Sequence, residues 1–223
     1  LRRKRAPSIS LERRRSIRSS RSVSIAEHLR STSQEVVLVD TEHADFESIA
    51  VDNEEGGYRA TRHLLERGYE HIAHITADRP EPPPAEKRRK GYERALEEAN
   101  RPSLIARGEK EPFAFERGGG YRAMKTLLNH DPMPDAVFCS SDMMALGAHQ
   151  ALDDAGYRVP DDVAIVGFDD IDVSTHVGLT TIRQPLLDFG KLGIEKLLGR
   201  IDDPQRKVSS TMFAPELAVR ETS

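Results

Sequence analysis

PDAVFCSSDMMALGAHQALDDAGYRVPDDVAIVGFDD, residues 134–170, decides the fold. Ala136-Val137-Phe138-Cys139 is a short unbroken apolar run, the pattern of a strand covered on both faces. Ser140-Ser141-Asp142 offers capping side chains, and Asp142 to Ala155 reads as a helix stopped by Gly156. Val163 to Phe168 is a second buried strand that ends at Asp169-Asp170. A strand, a helix long enough to cross back and another strand call for a right-handed crossover between parallel strands.

The same alternation extends in both directions. Upstream lie an apolar strand at Val36-Val37-Leu38-Val39, a helix from Glu54 to Arg67 with Gly68 as its stop, and a strand at Ile72-Ala73-His74-Ile75. A proline-rich loop, Pro80 to Pro84, precedes a helix over 85–99, a strand near Leu104 to Ala106 and a helix over 119–128. Downstream, Thr180-Thr181-Ile182 is extended, Leu186 to Arg200 is an amphipathic helix, and Thr211 to Val219 is extended around Pro215. The expected class is a doubly wound α/β protein, whose ligands sit at the carboxyl ends of the strands.

Those strand ends carry the candidate chemistry. Asp40, Ser140-Ser141-Asp142 and Asp169-Asp170 each follow a strand, Arg88 lies on the helix after the proline loop, and Phe115 approaches another helix. Carboxylates accept from hydroxyls or N–H groups, a guanidinium donates in a planar pair, and an aromatic face stacks on an apolar ring. The set suits a small neutral polyhydroxylated or heteroaromatic ligand. Ordinary structural roles compete: Asp142 as a helix cap, Asp169-Asp170 as turn residues.

Other features carry less. Gly118-Gly119-Gly120 is similar to a phosphate loop, but no Lys-Ser/Thr follows, so a loop leading into a helix is expected. His71 and His74 flank a strand, which favours surface or packing roles over metal ligation. Ser140 and Ser141 lack a Gly-x-Ser-x-Gly elbow. Cys139 is the single cysteine, read as a small buried hydrophobe; it allows no internal disulfide and no Cys-built zinc site. No catalytic constellation, metal site or cofactor is expected.

The net charge of −4 conceals a split. Residues 1–30 hold ten Lys and Arg against Glu12 and Glu27, a balance of +8; the remaining 193 residues hold 23 bases against 35 acids, or −12. A basic arm on an acidic body points first to nucleic acid. The arm is nevertheless Arg/Ser-rich and aperiodic (Arg2-Arg3-Lys4-Arg5, Arg13-Arg14-Arg15), so a disordered or out-of-frame stretch is expected over 1–23. No apolar run approaches the roughly 20 residues that span a bilayer, and no signal-peptide pattern follows the basic start. A cytoplasmic protein with no membrane contact is the expectation.

VVLVD (36–40), VDNEEGGYRATRHLLERGYEHIAHI (51–75), RRKGYERAL (88–96), GGYRAM (119–124), the opening stretch, LTTIRQP (179–185) and PELAVRET (215–222) together resemble the LacI/GalR family of transcription regulators. The resemblance covers 35–221 almost throughout. It implies a two-lobed, periplasmic-binding-protein-like fold with an effector, commonly a sugar or purine, between the lobes. The N-terminal lobe would take about 24–70 and 186–203, and the C-terminal lobe about 71–185 and 204–223. By motif position, Arg88 matches the family's effector-contacting arginine, Phe115 its aromatic platform, Asp169 the first Asp of its G-[FY]-D-[DN] motif, and Asp40 a polar residue after the VVLVD strand. Ser141 stands where sugar-responsive members often carry Asn, which removes an amide's paired donor and acceptor.

Nothing in 1–23 matches the helix-turn-helix, hinge helix or first strand and helix that open family members. The expectation is a truncated or frame-disrupted chain with an incomplete N-terminal lobe and no sequence-specific DNA binding of its own. The intact relative would be a homodimer on operator DNA. Three other functions compete: a transport-type sugar-binding protein, which calls for a secretory signal; an enzyme, which calls for a positioned nucleophile or base; and a non-functional remnant.

Overall fold

A computed structural model describes residues 29–30, 34–78, 80–108 and 116–223. The chain divides into two units, 1–36 and 37–223. In the first, a helical pair at 29–30 and residues 34–36 are described, and the segment 1–23 lies outside the described residues. The second unit carries the fold.

It opens with β1 (Val37–Val39), β2 (Glu47–Val51), α1 (Asn53–Glu66), β3 (Ile72–Thr76) and α2 (Pro83–Glu98). Next come β4 (Leu104–Arg107), α3 (Arg117–Leu127), β5 (Ala136–Cys139), α4 (Asp142–Asp154) and β6 (Ala164–Asp169). It closes with α5 (Asp172–His176), β7 (Thr180–Arg183), α6 (Leu186–Asp202), β8 (Ser210–Phe213) and β9 (Glu216–Ala218).

Six strands form the larger sheet in the order β4-β3-β5-β6-β7-β9, parallel except for β9 against β7. Both faces are covered, which is why its strands are apolar without alternation. Along β5 the pleat sends Ala136 and Phe138 to one face and Val137 and Cys139 to the other. The first face packs on α1 and α2 through Ala60, Leu64, Tyr92 and Leu96; the second packs on α3 and α4 through Met124, Leu127, Met144 and Leu152. A three-stranded parallel sheet, β1-β2-β8, makes the smaller lobe, with α6 against it through the buried Phe189. The α/β class with two parallel-dominated sheets is as expected. The chain passes between the sheets after β2, after β7 and between β8 and β9.

Four elements depart from the sequence reading. Glu47–Val51 is a fully buried strand, although Glu47-Ser48 breaks the apolar pattern. Glu47 is tolerated because Lys196 on α6 donates to it at 2.7 Å and Ser209 Oγ at 2.8 Å. Lobe membership also differs. Asn53–Glu66, expected with the N-terminal lobe, packs its apolar face on the larger sheet. Ser210–Phe213, expected with the C-terminal lobe, pairs with β2 in the smaller one. The fourth, the short helix α5 at Asp172–His176, carries no periodicity of its own.

The α1–α2 contact is close enough to require glycine. A Cβ at Gly57 would overlap the carbonyl of Arg88, and one at Gly91 the carbonyl of Glu54. These two positions bring the backbone carrying Arg88 directly onto α1.

Candidate functional site

Arg88 is 5% exposed, the deepest charge in the cleft between the two sheets. Its Nε donates to Asn53 Oδ1 at 2.7 Å and its Nη1 to the Ser140 carbonyl at 2.6 Å, while the guanidinium lies 3.7 Å above the centre of the Phe168 ring. Those three partners hold it flat and leave its outer edge to two carboxylates. Asp169 Oδ1 stands 3.7 Å from Nη1, and Asp40 Oδ2 stands 3.8 Å from Nη2. Asp40 comes from the smaller lobe and Asp169 from the larger, so the arginine is bracketed across the cleft.

Burial sets the protonation of all three. It pushes the Asp169 carboxyl up to about 6, with Asp142 and Asp40 adding to the rise, while Arg88 and Gln184 oppose it. Asp40 is raised by burial too, against the pull of Arg88 and a hydrogen bond from Asn53. Burial lowers Arg88 from its ordinary value, opposed by Asp169, Asp40 and Asp142. An arginine still keeps its proton at neutral pH, so the site sets one cation between two carboxylates that are costly to ionise.

The backbone is strained here as well. Among the described residues, non-glycine positive φ angles occur at Asp40 (58°), Asn100 (54°), Asp169 (127°) and Asp170 (58°). Asn100 sits in a turn after α2, where such angles are common for Asn. The other three are strand-end residues at or beside the cleft, the pattern of strain held by surrounding structure at functional positions.

A cavity of about 240 Å³ is lined by Asp40, Pro82, Ala85, Arg88, Ser141 and Asp169. Four of the five expected contacts therefore line one cavity. The fifth, Phe115, lies outside the described residues. Ser141 reaches the cavity, but its Oγ accepts from Met144 N–H at 3.2 Å and caps α4.

The competing acids separate cleanly. Asp142 accepts from Ser174 Oγ at 2.6 Å, Thr181 Oγ1 at 2.5 Å and Ile171 N–H at 3.0 Å, binding α5 and β7 rather than capping its own helix. Asp170 is consumed by Arg183 at 2.7 Å and Arg220 at 2.6 Å. His74 is wholly buried, stacked between Tyr92 and Phe138, with burial lowering it to about 3; it is a neutral packing residue. Cys139 is buried with its thiol pushed up by burial. Among the described residues, no group of three or more His, Cys, Asp or Glu is placed to hold a metal.

Sequence reasoning missed Asn53, Phe168 and Gln184. Gln184 Nε2 donates to Asp169 Oδ1 at 2.7 Å. All three sit at or just beyond strand carboxyl ends, the rule that found Asp40, Ser141 and Asp169. Asn53 escaped because β2 was not marked as a strand.

The periplasmic binding protein-like domain model matches residues 61–223. The chain belongs to the periplasmic binding protein-like domain family. It is 40% identical over 176 residues to the HTH-type transcriptional repressor PurR of Haemophilus influenzae, a match spanning 75% of this chain and 51% of that repressor. The chain thus spans about half the length of the curated relatives it matches. Among solved structures it is similar to a LacI family regulator from Enterococcus faecium with bound ribose, with a TM-score of 0.80 and 27% identity over 89% of this chain and 74% of that one. It is also similar to the transcriptional regulator CelR in complex with cellobiose, with a TM-score of 0.76 and 32% identity over 84% and 58%. No helix among the described residues is long and apolar enough to cross a membrane.

Proposed function

We propose that residues 37–223 sense a small neutral effector for a LacI/GalR-type transcription regulator, with Asp40, Arg88, Phe115, Ser141 and Asp169 as its contacts. One observation carries this reading: a buried, immobilised Arg88 bracketed by carboxylates from opposite lobes. A ligand there receives from the guanidinium edge and donates to Asp40 and Asp169, as vicinal hydroxyls or the N–H and carbonyl edge of a purine do. One cation between two carboxylates disfavours an anion, so sugars and purines are preferred over phosphates and sugar acids. The ribose and cellobiose held by the similar regulators fit the same chemistry.

Because the contacts come from both lobes, a bound effector has differential affinity for lobe arrangements and shifts their equilibrium. In the regulator this shift would be read by DNA-binding heads of a homodimer, carried in the part of the relatives that this chain does not match. Such a protein works in the cytoplasm and catalyses nothing. The test is thermal unfolding of the 223-residue chain with D-ribose, cellobiose and hypoxanthine. Saturation at 100 times Kd stabilises by about 2.7 kcal/mol, and the increment should vanish in Arg88→Met. A flat response to all three ligands would sink the sugar-or-purine reading.

A further inference from the structure

Two of the three passages between the lobes place a buried amide against one charge of the site. At the first, Asn53 opens α1 immediately after β2 and is 3% exposed. Its Oδ1 accepts from Arg88 Nε at 2.7 Å while its Nδ2 donates to the Val51 carbonyl at 3.1 Å, within the crossing strand itself. At the second, Gln184 follows β7 directly and is 8% exposed. Its Nε2 donates to Asp169 Oδ1 at 2.7 Å and its backbone N–H to the Asp169 carbonyl at 3.1 Å. The two amides present opposite ends, carbonyl to the cation and N–H to the anion, as the charges require. Gln184 Oε1 is buried without a hydrogen-bond partner, and so is Asp40 Oδ1.

An amide has no charge to lose, so both links persist across pH. Each is anchored at its far end in the backbone that must rotate when the lobes move. We propose that Asn53 and Gln184 are positioning residues that couple ligand contact at Arg88 and Asp169 to the two passages, so that grip on the charge pair is felt as rotation of the crossing strands. The proposal rests on the cleft being the ligand site. A purely structural role would be satisfied by burial and hydrogen bonding alone and would leave both the charges and the ligand response untouched.

The test uses the full chain and Gln184→Met, which keeps the side chain's length and removes its amide, with Asn53→Leu as the second variant. Three readouts apply: carboxyl ¹³C titration of Asp169, calorimetric titration with D-ribose, cellobiose and hypoxanthine, and amide hydrogen exchange over 51–55 and 183–187. In Gln184→Met, loss of a donor to the carboxylate should raise the Asp169 midpoint above 6 by on the order of 1 pH unit. Affinity for whichever probe the parent binds should fall about tenfold, and the slowing of exchange at 183–187 on ligand addition should disappear. Asn53→Leu should abolish the corresponding slowing at 51–55. An unmoved Asp169 midpoint together with parental affinity overturns the coupling while leaving the cleft reading intact. Should the parent bind none of the probes, the sugar-or-purine reading fails, and the Asp169 midpoint alone still decides whether Gln184 positions the carboxylate. If Asn53→Leu does not fold, Gln184→Met carries the test.

Discussion

Replacing Asp169 with Asn should stabilise the protein at neutral pH while removing its ligand response. Asp169 is mostly buried, its side chain 23% exposed, and its carboxyl titrates at about 6 rather than the ordinary 3.8. A carboxyl raised in the folded state binds its proton more tightly there than in the unfolded chain. Its favourable contribution is therefore complete below pH 3.8 and is lost as pH rises through 6. At about 1.4 kcal/mol per pH unit, ionising Asp169 in place costs about 3 kcal/mol at pH 7. Asn mimics the neutral acid, still accepts from Gln184 and tolerates positive φ at least as well as Asp. Asp169→Asn should thus gain about 3 kcal/mol at pH 7 and less than about 1 kcal/mol at pH 4. For a chain of this size the neutral-pH gain corresponds to a rise in melting temperature of roughly 6–12 °C. Urea unfolding of both proteins at the two pH values measures it. A loss of stability at pH 7, or the same increment at both pH values, would refute the reasoning. Stability gained by deleting a binding carboxylate is the expected signature of a site that holds an unfavourable charge for function.

Three further outcomes follow from particular contacts. Lys196→Met leaves Glu47 buried beside Ser209 with, among the described residues, only Arg206, at 3.5 Å, as a nearby cation, and should cost about 3–5 kcal/mol in urea unfolding. Glu47→Leu in the same background should recover most of that loss; no recovery would show that the pair is not the source. Gly91→Ala forces a methyl into the Glu54 carbonyl and should cost about 1–3 kcal/mol by separating α1 from α2, visible in thermal melts. Arg88→Lys keeps the charge, but one ammonium cannot serve Asn53 and the Ser140 carbonyl in the same plane while stacking on Phe168. Effector affinity should fall at least tenfold in calorimetry, and parental affinity would show that only the charge matters.

Much of the larger lobe was legible because its chemistry is local. A strand covered on both faces must be apolar throughout, so Ala136–Cys139 and Ala164–Phe168 declare themselves, and Gly156 marks the stop between them. The smaller lobe was harder to read. Its strand Glu47–Val51 holds a carboxylate at 0% exposure that is acceptable only because a lysine 149 residues later reaches it. The same distance effect hid which lobe Ser210–Phe213 joins: the stretch reads as extended, but its half-exposed residues take their place from pairing with β2.

By itself the sequence determined the α/β alternation, the strand ends where ligands sit, and the residue types gathered there, since each follows from hydrophobic period and chain direction. Which of those residues face the cleft was decided only in three dimensions. Asp142, Asp169 and Asp170 are the same side chain at the same kind of position, yet two are consumed by Ser174 and Thr181 or by Arg183 and Arg220. Only Asp169 is turned toward Arg88. Adjacent residues at a strand end point apart, and hydrogen-bond partners from distant segments select which carboxylate is left to bind.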